Sequence, residues 1–350
     1  MPANLSPEYK AAEEAYRKAR DPGERLEHLR DMLRTIPKHK GTEHLQADIK
    51  TRIKQLTEDA AGPQKGAARR GPPTAVRPEG AAQLALIGPP SSGKSALHAR
   101  LTGSGAEVGP YPYTTRVPMP GMLKHEDIQF QLVDLPPIDA GYMEPWMPNA
   151  LQLADGVLLV VDLSEPSCVE QELVIRRRFE EKRISLTPRW PTDTIEPAPA
   201  PTPVSDGADD GDLDDPFHLH LPTALVAAKS ELVTDPEEVQ VFLELVGVPY
   251  PALSVSVETG QGLDDVAPLL FQRLGVVRVY PKAPGKPPDR ERPFTVRRGD
   301  TVYDVARLVH RELASTMKYA RLWGTSGQFD GQQVGKDHPV ADGDVLELHG

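Results

Sequence analysis

Only one cysteine, Cys168, occurs in 350 residues. The chain can therefore close no internal disulfide and build no multi-thiolate metal cluster, which fits a reducing compartment. No apolar run approaches the roughly 18 residues that a membrane span needs. The stretch MPANLSPEYKAAEEAYRK is polar and acidic from its start, unlike a secretory leader. Positive charge is also in deficit. Against 51 Asp and Glu stand 40 Lys and Arg, a formal net charge of -11. That argues against uniform coating of nucleic acid while leaving room for a local basic face. The expectation is a soluble cytoplasmic protein with no membrane or DNA partner; composition leaves the oligomeric state open.

What is present is unevenly distributed. Residues 1–80 hold 16 basic and 12 acidic residues, and residues 276–350 hold 12 and 10. Between them, PTDTIEPAPAPTPVSDGADDGDLDD (191–215) holds 8 acidic residues and no basic one. Residues 1–59 read as a helical region. Asp21 can cap a helix with Pro22 at its first position, followed by Leu26, Leu29, Met32, Leu33 and Ile36 at helical spacing. Thr42 can cap another, with the stripe Leu45, Ile49, Ile53 and Leu56. The Gly/Pro/Ala/Arg-rich stretch 60–80 reads as a linker.

From residue 81 to 275, short apolar runs alternate with amphipathic segments. LALIG (84–88), IQFQLVD (128–134), GVLLVVDLS (156–164), TALVAAK (223–229) and ALSVS (252–256) read as strands. Helix-like stretches at 94–102, 146–154, 168–182, 236–246 and 263–274 separate several of them. The alternation predicts an α/β domain with a mainly parallel sheet and flanking helices. Its prolines and then its aspartates make 187–216 a disordered or extended insertion. After Leu274 the pattern restarts as strand, strand, helix, strand, strand over 276–350, which predicts a small ubiquitin-like α+β roll.

The sharpest chemical signal is Gly88-Pro89-Pro90-Ser91-Ser92-Gly93-Lys94-Ser95-Ala96. Gly-x-x-x-x-Gly-Lys-Ser, after a strand and opening a helix, is a phosphate-binding loop. Glycines let backbone amides wrap a phosphate chain. The helix start aims unsatisfied N–H groups and a positive dipole end at the anion. Lys94 supplies a cation for the β- and γ-phosphates, and Ser95 a hydroxyl for Mg²⁺. Thr115 in YPYTT, or its neighbour Thr114, stands where a metal-binding switch threonine would follow. Asp134, ending a strand, is placed to hold Mg²⁺ through water.

The run from this loop through YPYTTRVPMPGMLKHEDIQFQLVDLPP resembles the Obg-like GTPases, and within them the developmentally regulated GTP-binding protein family. IPKHKGTEHLQADIK resembles that family's N-terminal helical region. VYPKAPGKPPD, MKYARLWGTSGQ and VGKDHPVADGDVLEL resemble its C-terminal TGS domain. The resemblance implies a P-loop fold, GTP and GDP as ligands with Mg²⁺, and slow hydrolysis helped in some relatives by K⁺. It assigns catalytic roles to Lys94 and Thr115, and metal roles to Ser95, Thr115 and Asp134. It also implies action on the ribosome or RNA, with contact through the TGS domain and the N-terminal helices.

Two motifs depart from the family pattern. The base-recognition motif Asn/Thr-Lys-x-Asp is here Ala228-Lys229-Ser230-Glu231. The Lys229 stem can still stack on a base, and the Glu231 carboxylate can still accept from guanine N1 and N2. Ser256 and Val257, in the SVE sequence, would offer backbone amides to the base oxygen. The second-switch motif Asp-x-x-Gly is Asp134-Leu-Pro-Pro137, followed by Ile138 where other GTPases carry a polar glutamine. Proline has no N–H to give a γ-phosphate. These departures keep a second reading open: a nucleotide-binding adaptor with little or no hydrolysis. Elsewhere, Arg176-Arg177-Arg178 reads as a solvated helix face or an RNA contact. His218 and His220 share a strand face without partners at metal-ligand spacing. Lys318, Tyr319, Arg321 and Trp323 could stack bases and meet phosphates, or one aromatic could pack in the core.

Overall fold

The computed structural model describes residues 6–19, 22–37, 42–60, 76–103, 117–194, 217–233, 235 and 237–350. Asp21, Thr114, Thr115, most of the 60–80 linker and the acidic part of the 187–216 segment lie outside them. The chain divides into two compact units, the N-terminal helices and the part from Pro73 onward.

The first unit comprises α1 (Pro7–Lys18), α2 (Pro22–Thr35) and α3 (Glu43–Ala60). Ser6 caps α1: its hydroxyl accepts from Tyr9 N at 3.1 Å and donates to Thr35 O at 3.1 Å, joining the start of one helix to the end of the next. Tyr9, Leu29, Met32, Ile36 and Ile49 are buried, four of them from the two predicted apolar stripes. Thr42 donates to Pro37 O at 2.6 Å.

In the second unit, β1 (Gln83–Ile87), α4 (Lys94–Thr102), β2 (Met119–His125), β3 (Ile128–Asp134), α5 (Met147–Leu151), β4 (Gly156–Asp162) and α6 (Cys168–Glu180) come first. They are followed by β5 (Ile184–Thr187), β6 (Leu219–Ala228), α7 (Glu238–Val246), β7 (Ala252–Ser254) and α8 (Val266–Leu274). The sheet runs β2-β3-β1-β4-β6-β5, with β7 also on β6. All pairings are parallel except β2 with β3. Every residue of β1 and β4 is buried, as strands covered on both faces require. Alternate residues enter opposite cores: Leu84, Leu86, Leu158 and Val160 on one side, Ala85, Ile87, Leu159 and Val161 on the other. This is the P-loop GTPase-like arrangement, and it sends the C-terminal ends of β1, β3, β4 and β6 to one edge.

Two expected boundaries move. Residues 187–194, read as the start of the insertion, are folded: Trp190 is buried in the core, its indole N–H reaches Thr223 O at 3.3 Å, and Asp193 pairs with Arg273 at 3.2 Å. A tryptophan brings enough apolar area to anchor a proline-flanked segment. At the end of the expected linker, Gln83 Nε2 donates to Val76 O at 3.2 Å and Gly80 bridges Phe130. The backbone there continues the sheet.

The TGS fold has its own sheet, ordered β11-β10-β12-β8-β9. Its elements are β8 (Val276–Pro281), β9 (Phe294–Arg297), α9 (Val302–Val309), α10 (Arg311–Thr316), β10 (Tyr319–Trp323), β11 (Gln332–Val334) and β12 (Asp344–His349). The single helix expected over TVYDVARLVHREL is two. His310 is extended (φ -166°, ψ 130°) and its ring nitrogen accepts from Glu312 N at 3.3 Å, capping α10. Arg278 of β8 fastens this fold to the β2–β3 turn. Its guanidinium meets Asp127 at 3.0 Å, Asp342 at 2.8 Å and also Glu126. Tyr280 donates to Asp127 at 2.7 Å, and Arg297 pairs with Asp155 at 3.3 Å.

Candidate functional site

At the C-terminal edge of the large sheet the chain leaves β1 into the glycine loop. A side chain at Gly88 would put its Cβ 2.2 Å from the Val160 carbonyl oxygen, so only glycine lets the loop lie against β4. Ser91 (φ 60°) and Gly93 (φ 92°) are left-handed, and the chain then turns into α4. Ser92 is buried and donates to Pro89 O at 3.0 Å. Lys94 is also buried, with Nζ donating to the same oxygen at 3.1 Å. Burial pushes its ammonium down to about 8, opposed by the nearby Asp134 charge. Pro90 is half-buried at the loop crest and Ala96 lies in the first turn of α4. The result is an anion cradle: a cation held under the loop, and the first N–H groups of a helix aimed into it.

Asp134 ends β3 beside this cradle. The Ser95 hydroxyl donates to its Oδ2 at 2.6 Å, so two of the three expected metal ligands meet across 39 residues of sequence. Beyond Asp134 the backbone is fixed. Leu135 N donates to Leu86 O at 3.2 Å and Ile138 N to Gly88 O at 3.1 Å. Pro136 and Pro137 are buried between them, and Ile138 is wholly buried among Met147 and Leu151. The segment carrying the second-switch departure is thus clamped to the strand and loop that carry the phosphate-binding residues. Thr115, with Thr114, lies outside the described residues.

The base-recognition residues sit at the ends of β6 and β7. Ala228 faces the phosphate loop, its Cβ 3.7 Å from where a Gly93 side chain would begin. Lys229 is left-handed (φ 57°), and its Nζ reaches Asp162 Oδ2 at 2.7 Å. Ser230 N donates to Val255 O at 3.1 Å, tying this turn to the SVE loop. Glu231 is exposed on a short 3-10 turn. Ser256 is fully buried; its N–H donates to Gln261 O at 3.0 Å and its Oγ accepts from Thr259 N at 3.1 Å. Val257 is half-buried beside it. Asp162 is the residue that sequence reading missed. Its signal was an aspartate ending β4, as Asp134 ends β3, but its partner lies 67 positions away.

Other singled-out residues resolve plainly. Arg176 is half-buried, donating to Val246 O at 2.9 Å and lying 3.4 Å from Glu172, and Arg178 donates to Ala140 O. Arg177 alone of the three is an exposed helix-face residue, 3.6 Å from Glu181. Tyr319, Arg321 and Trp323 share the outer face of β10, while Ala320 and Leu322 fill the core. Tyr319 stacks on His349 at 4.7 Å, and the Lys282 ammonium lies 4.6 Å from the centre of the Trp323 ring. That face mixes flat rings with cations. A cleft of about 680 Å³ lies apart from the phosphate loop, lined by residues including Arg100, Lys124, His125 and Asp264.

Similarity to known proteins extends over most of the chain. A family model described as a 50S ribosome-binding GTPase matches residues 83–187, and one described as a TGS domain matches residues 277–349. An uncharacterized GTP-binding protein of Methanocaldococcus jannaschii is 29% identical over 365 residues, covering 93% of this chain and 92% of its own length. The developmentally regulated G-protein 1 of Arabidopsis thaliana is 29% identical over 361 residues, covering 93% and 90%. A crystal structure of a GTP-binding protein from Pyrococcus horikoshii aligns over 76% of this chain and 99% of its own, at 15% identity and a TM-score of 0.48.

Proposed function

Because the chain belongs to the developmentally regulated GTP-binding protein family of Obg-like GTPases, with a TGS domain at its C-terminus, we propose that it is a Mg²⁺-dependent, slow GTPase acting on RNA or the ribosome. The observation that carries this reading is the phosphate loop over a buried Lys94, with Ser95 and Asp134 joined at 2.6 Å. A hydroxyl and a carboxylate side by side form an oxygen donor set suited to a hard cation. Ser95, Asp134 and Thr115 would hold Mg²⁺, which offsets the charge of the β- and γ-phosphates when bound. Gly88 to Gly93, with the α4 amides at Lys94, Ser95 and Ala96, would bind the phosphate chain. Lys229, Glu231 and the Val257 amide would meet the base; Ser256, expected to offer its amide as well, is buried with its N–H spent on Gln261 O, and so would shape the loop instead.

Slow turnover follows from two side chains. Pro137 has no N–H for the γ-phosphate, and Ile138 is apolar and buried, so it cannot orient an attacking water. Catalysis then rests on positioning and charge stabilisation by Lys94 and the loop amides. K⁺ is the proposed monovalent aid. The outer face of the TGS sheet supports an RNA contact, because rings stack on bases and cations meet phosphates.

The adaptor reading is favoured by the same Pro137, together with Ala228 in place of asparagine. Phosphate release in K⁺ and Na⁺ buffers separates the two. Release above a Lys94→Ala control, and faster in K⁺, supports the enzyme; release equal to that control supports the adaptor. Cosedimentation with ribosomes tests the RNA reading. Loss of cosedimentation in Tyr319→Ala/Arg321→Ala supports a TGS contact, and unchanged cosedimentation removes it.

A further inference from the structure

We propose that Asp162 is the positioning residue of the base-binding lysine, fixing the Lys229 ammonium so that its stem is already laid out for a guanine base. The proposal rests on the reading of Lys229 as a base contact. A lysine has a long, flexible stem, and ordering it on binding costs entropy. Here the stem is held at both ends. Its backbone occupies the left-handed region (φ 57°), and its Nζ lies 2.7 Å from Asp162 Oδ2.

The carboxylate is itself held. Its other oxygen, Oδ1, accepts from Ser164 N at 3.0 Å and Ser164 Oγ at 2.6 Å, which leaves Oδ2 for the lysine. Burial pushes the Asp162 carboxyl up, but the hydrogen bonds from Lys229 and Ser164 outweigh it, and the group stays ionised at neutral pH. Pairing also occupies the lysine charge. The base loop is therefore not a second phosphate site, and it presents a stem rather than a free cation.

The arrangement answers the missing asparagine. Ala228 offers no polar side chain to brace the turn. Asp162 is the register partner of Ala228 on the neighbouring strand, so the brace comes from β4 instead of from within the motif. Pre-organisation of this kind raises affinity by lowering the cost of ordering.

The test compares GDP with inorganic tripolyphosphate, which engages the phosphate loop but has no base, by calorimetry on the full chain. Asp162→Asn keeps the shape and the Ser164 contacts while removing the charge. It is expected to weaken GDP about tenfold, the scale of a lost charged hydrogen bond, with tripolyphosphate unchanged and Asp162→Glu recovering part of the loss. Equal weakening of both ligands would reduce Asp162 to a structural role and overturn the proposal. So would unchanged GDP affinity in Asp162→Asn when Lys229→Met weakens GDP. Unchanged GDP in Lys229→Ala, which removes the stem itself, would remove the base reading and this proposal with it. Should Asp162→Asn fail to fold, Lys229→Met combined with Ser164→Ala reads the same pair. A combined loss no larger than that of Lys229→Met alone supports the positioning chain, and a further separate loss contradicts it.

Discussion

Pro137 shows how a single residue can set the behaviour of a switch. Its position one residue before a fully buried isoleucine, with Ile138 N bonded to Gly88 O at 3.1 Å, leaves the backbone little room to move toward a γ-phosphate. Restoring an N–H there should restore the sensing. Pro137→Gly is expected to raise the GTP-to-GDP affinity ratio by about one to two powers of ten, since a hydrogen bond to a charged group is worth roughly 1.5–3 kcal/mol. Competition with a fluorescent nucleotide measures the ratio, and an unchanged value contradicts the assignment. The departure was legible in the sequence because proline's missing donor is a covalent fact. The Asp162–Lys229 pair was not. Lys229 was legible as the lysine of the base motif, but Asp162 looked only like a strand-end aspartate, and the parallel pairing of β4 with β6 is what brings them together.

Among elements, legibility followed burial on both faces. The central strands β1, β3, β4 and β6 were readable as apolar runs bounded by turns. β2 was not: MPGMLKH carries proline and glycine, and on its antiparallel edge only Leu123 is buried. β5 (ISLT) offers one alternating apolar pair before Pro188 and β11 (QQV) a single apolar residue, so neither shows a strand pattern in the sequence. Proline content made 187–194 look unfolded, yet Trp190 binds it to the core. Trp190→Ala is expected to cost about 3–5 kcal/mol, the range for emptying a large buried aromatic site. Urea unfolding measures it, and a cost below about 1 kcal/mol would show that the segment is not part of the folded core. The break at His310 leaves no mark in the pattern of TVYDVARLVHREL, which stays helical through it; the imidazole's capping bond is a local competition that periodicity does not register.

At the scale of the molecule, the restart of strand pattern after Leu274 marked a separate C-terminal fold, but nothing in the sequence showed how it attaches. The attachment is in large part ionic, beside Val276 of β8, which is buried in a core of the large sheet. Arg278 gathers Asp127, Asp342 and Glu126, and its guanidinium lies 5.0 Å from the centre of the Phe271 ring on α8. Arg278→Ala is expected to cost about 1–3 kcal/mol, because partly buried carboxylates lose a charged partner. Acid should act in the same direction. For Asp127, burial pushes the carboxyl up, but bonds from Tyr280 and Arg278 hold it below its ordinary value; for Asp342, burial is outweighed by bonds from Arg278. Carboxyls lowered in the folded state contribute stability that is present above their unfolded value, about 3.9, and lost as pH falls through the folded value. The stability difference between the native chain and Arg278→Ala should therefore be full at pH 7 and shrink below about pH 4. Thermal unfolding across that range checks it, and a pH-independent difference contradicts the ionic account.

The central claim is a guanine-nucleotide site that binds more surely than it senses or hydrolyses. Calorimetric affinities for GTP, GDP and ATP in the presence of Mg²⁺ test it most directly. The account predicts both guanine nucleotides bound at least about tenfold more tightly than ATP, as a site built on hydrogen bonds to the base requires, with GTP and GDP within about tenfold of each other. Equal affinity for ATP and GTP would contradict the guanine assignment, and a GTP preference over GDP of several powers of ten would contradict the reading of Pro137.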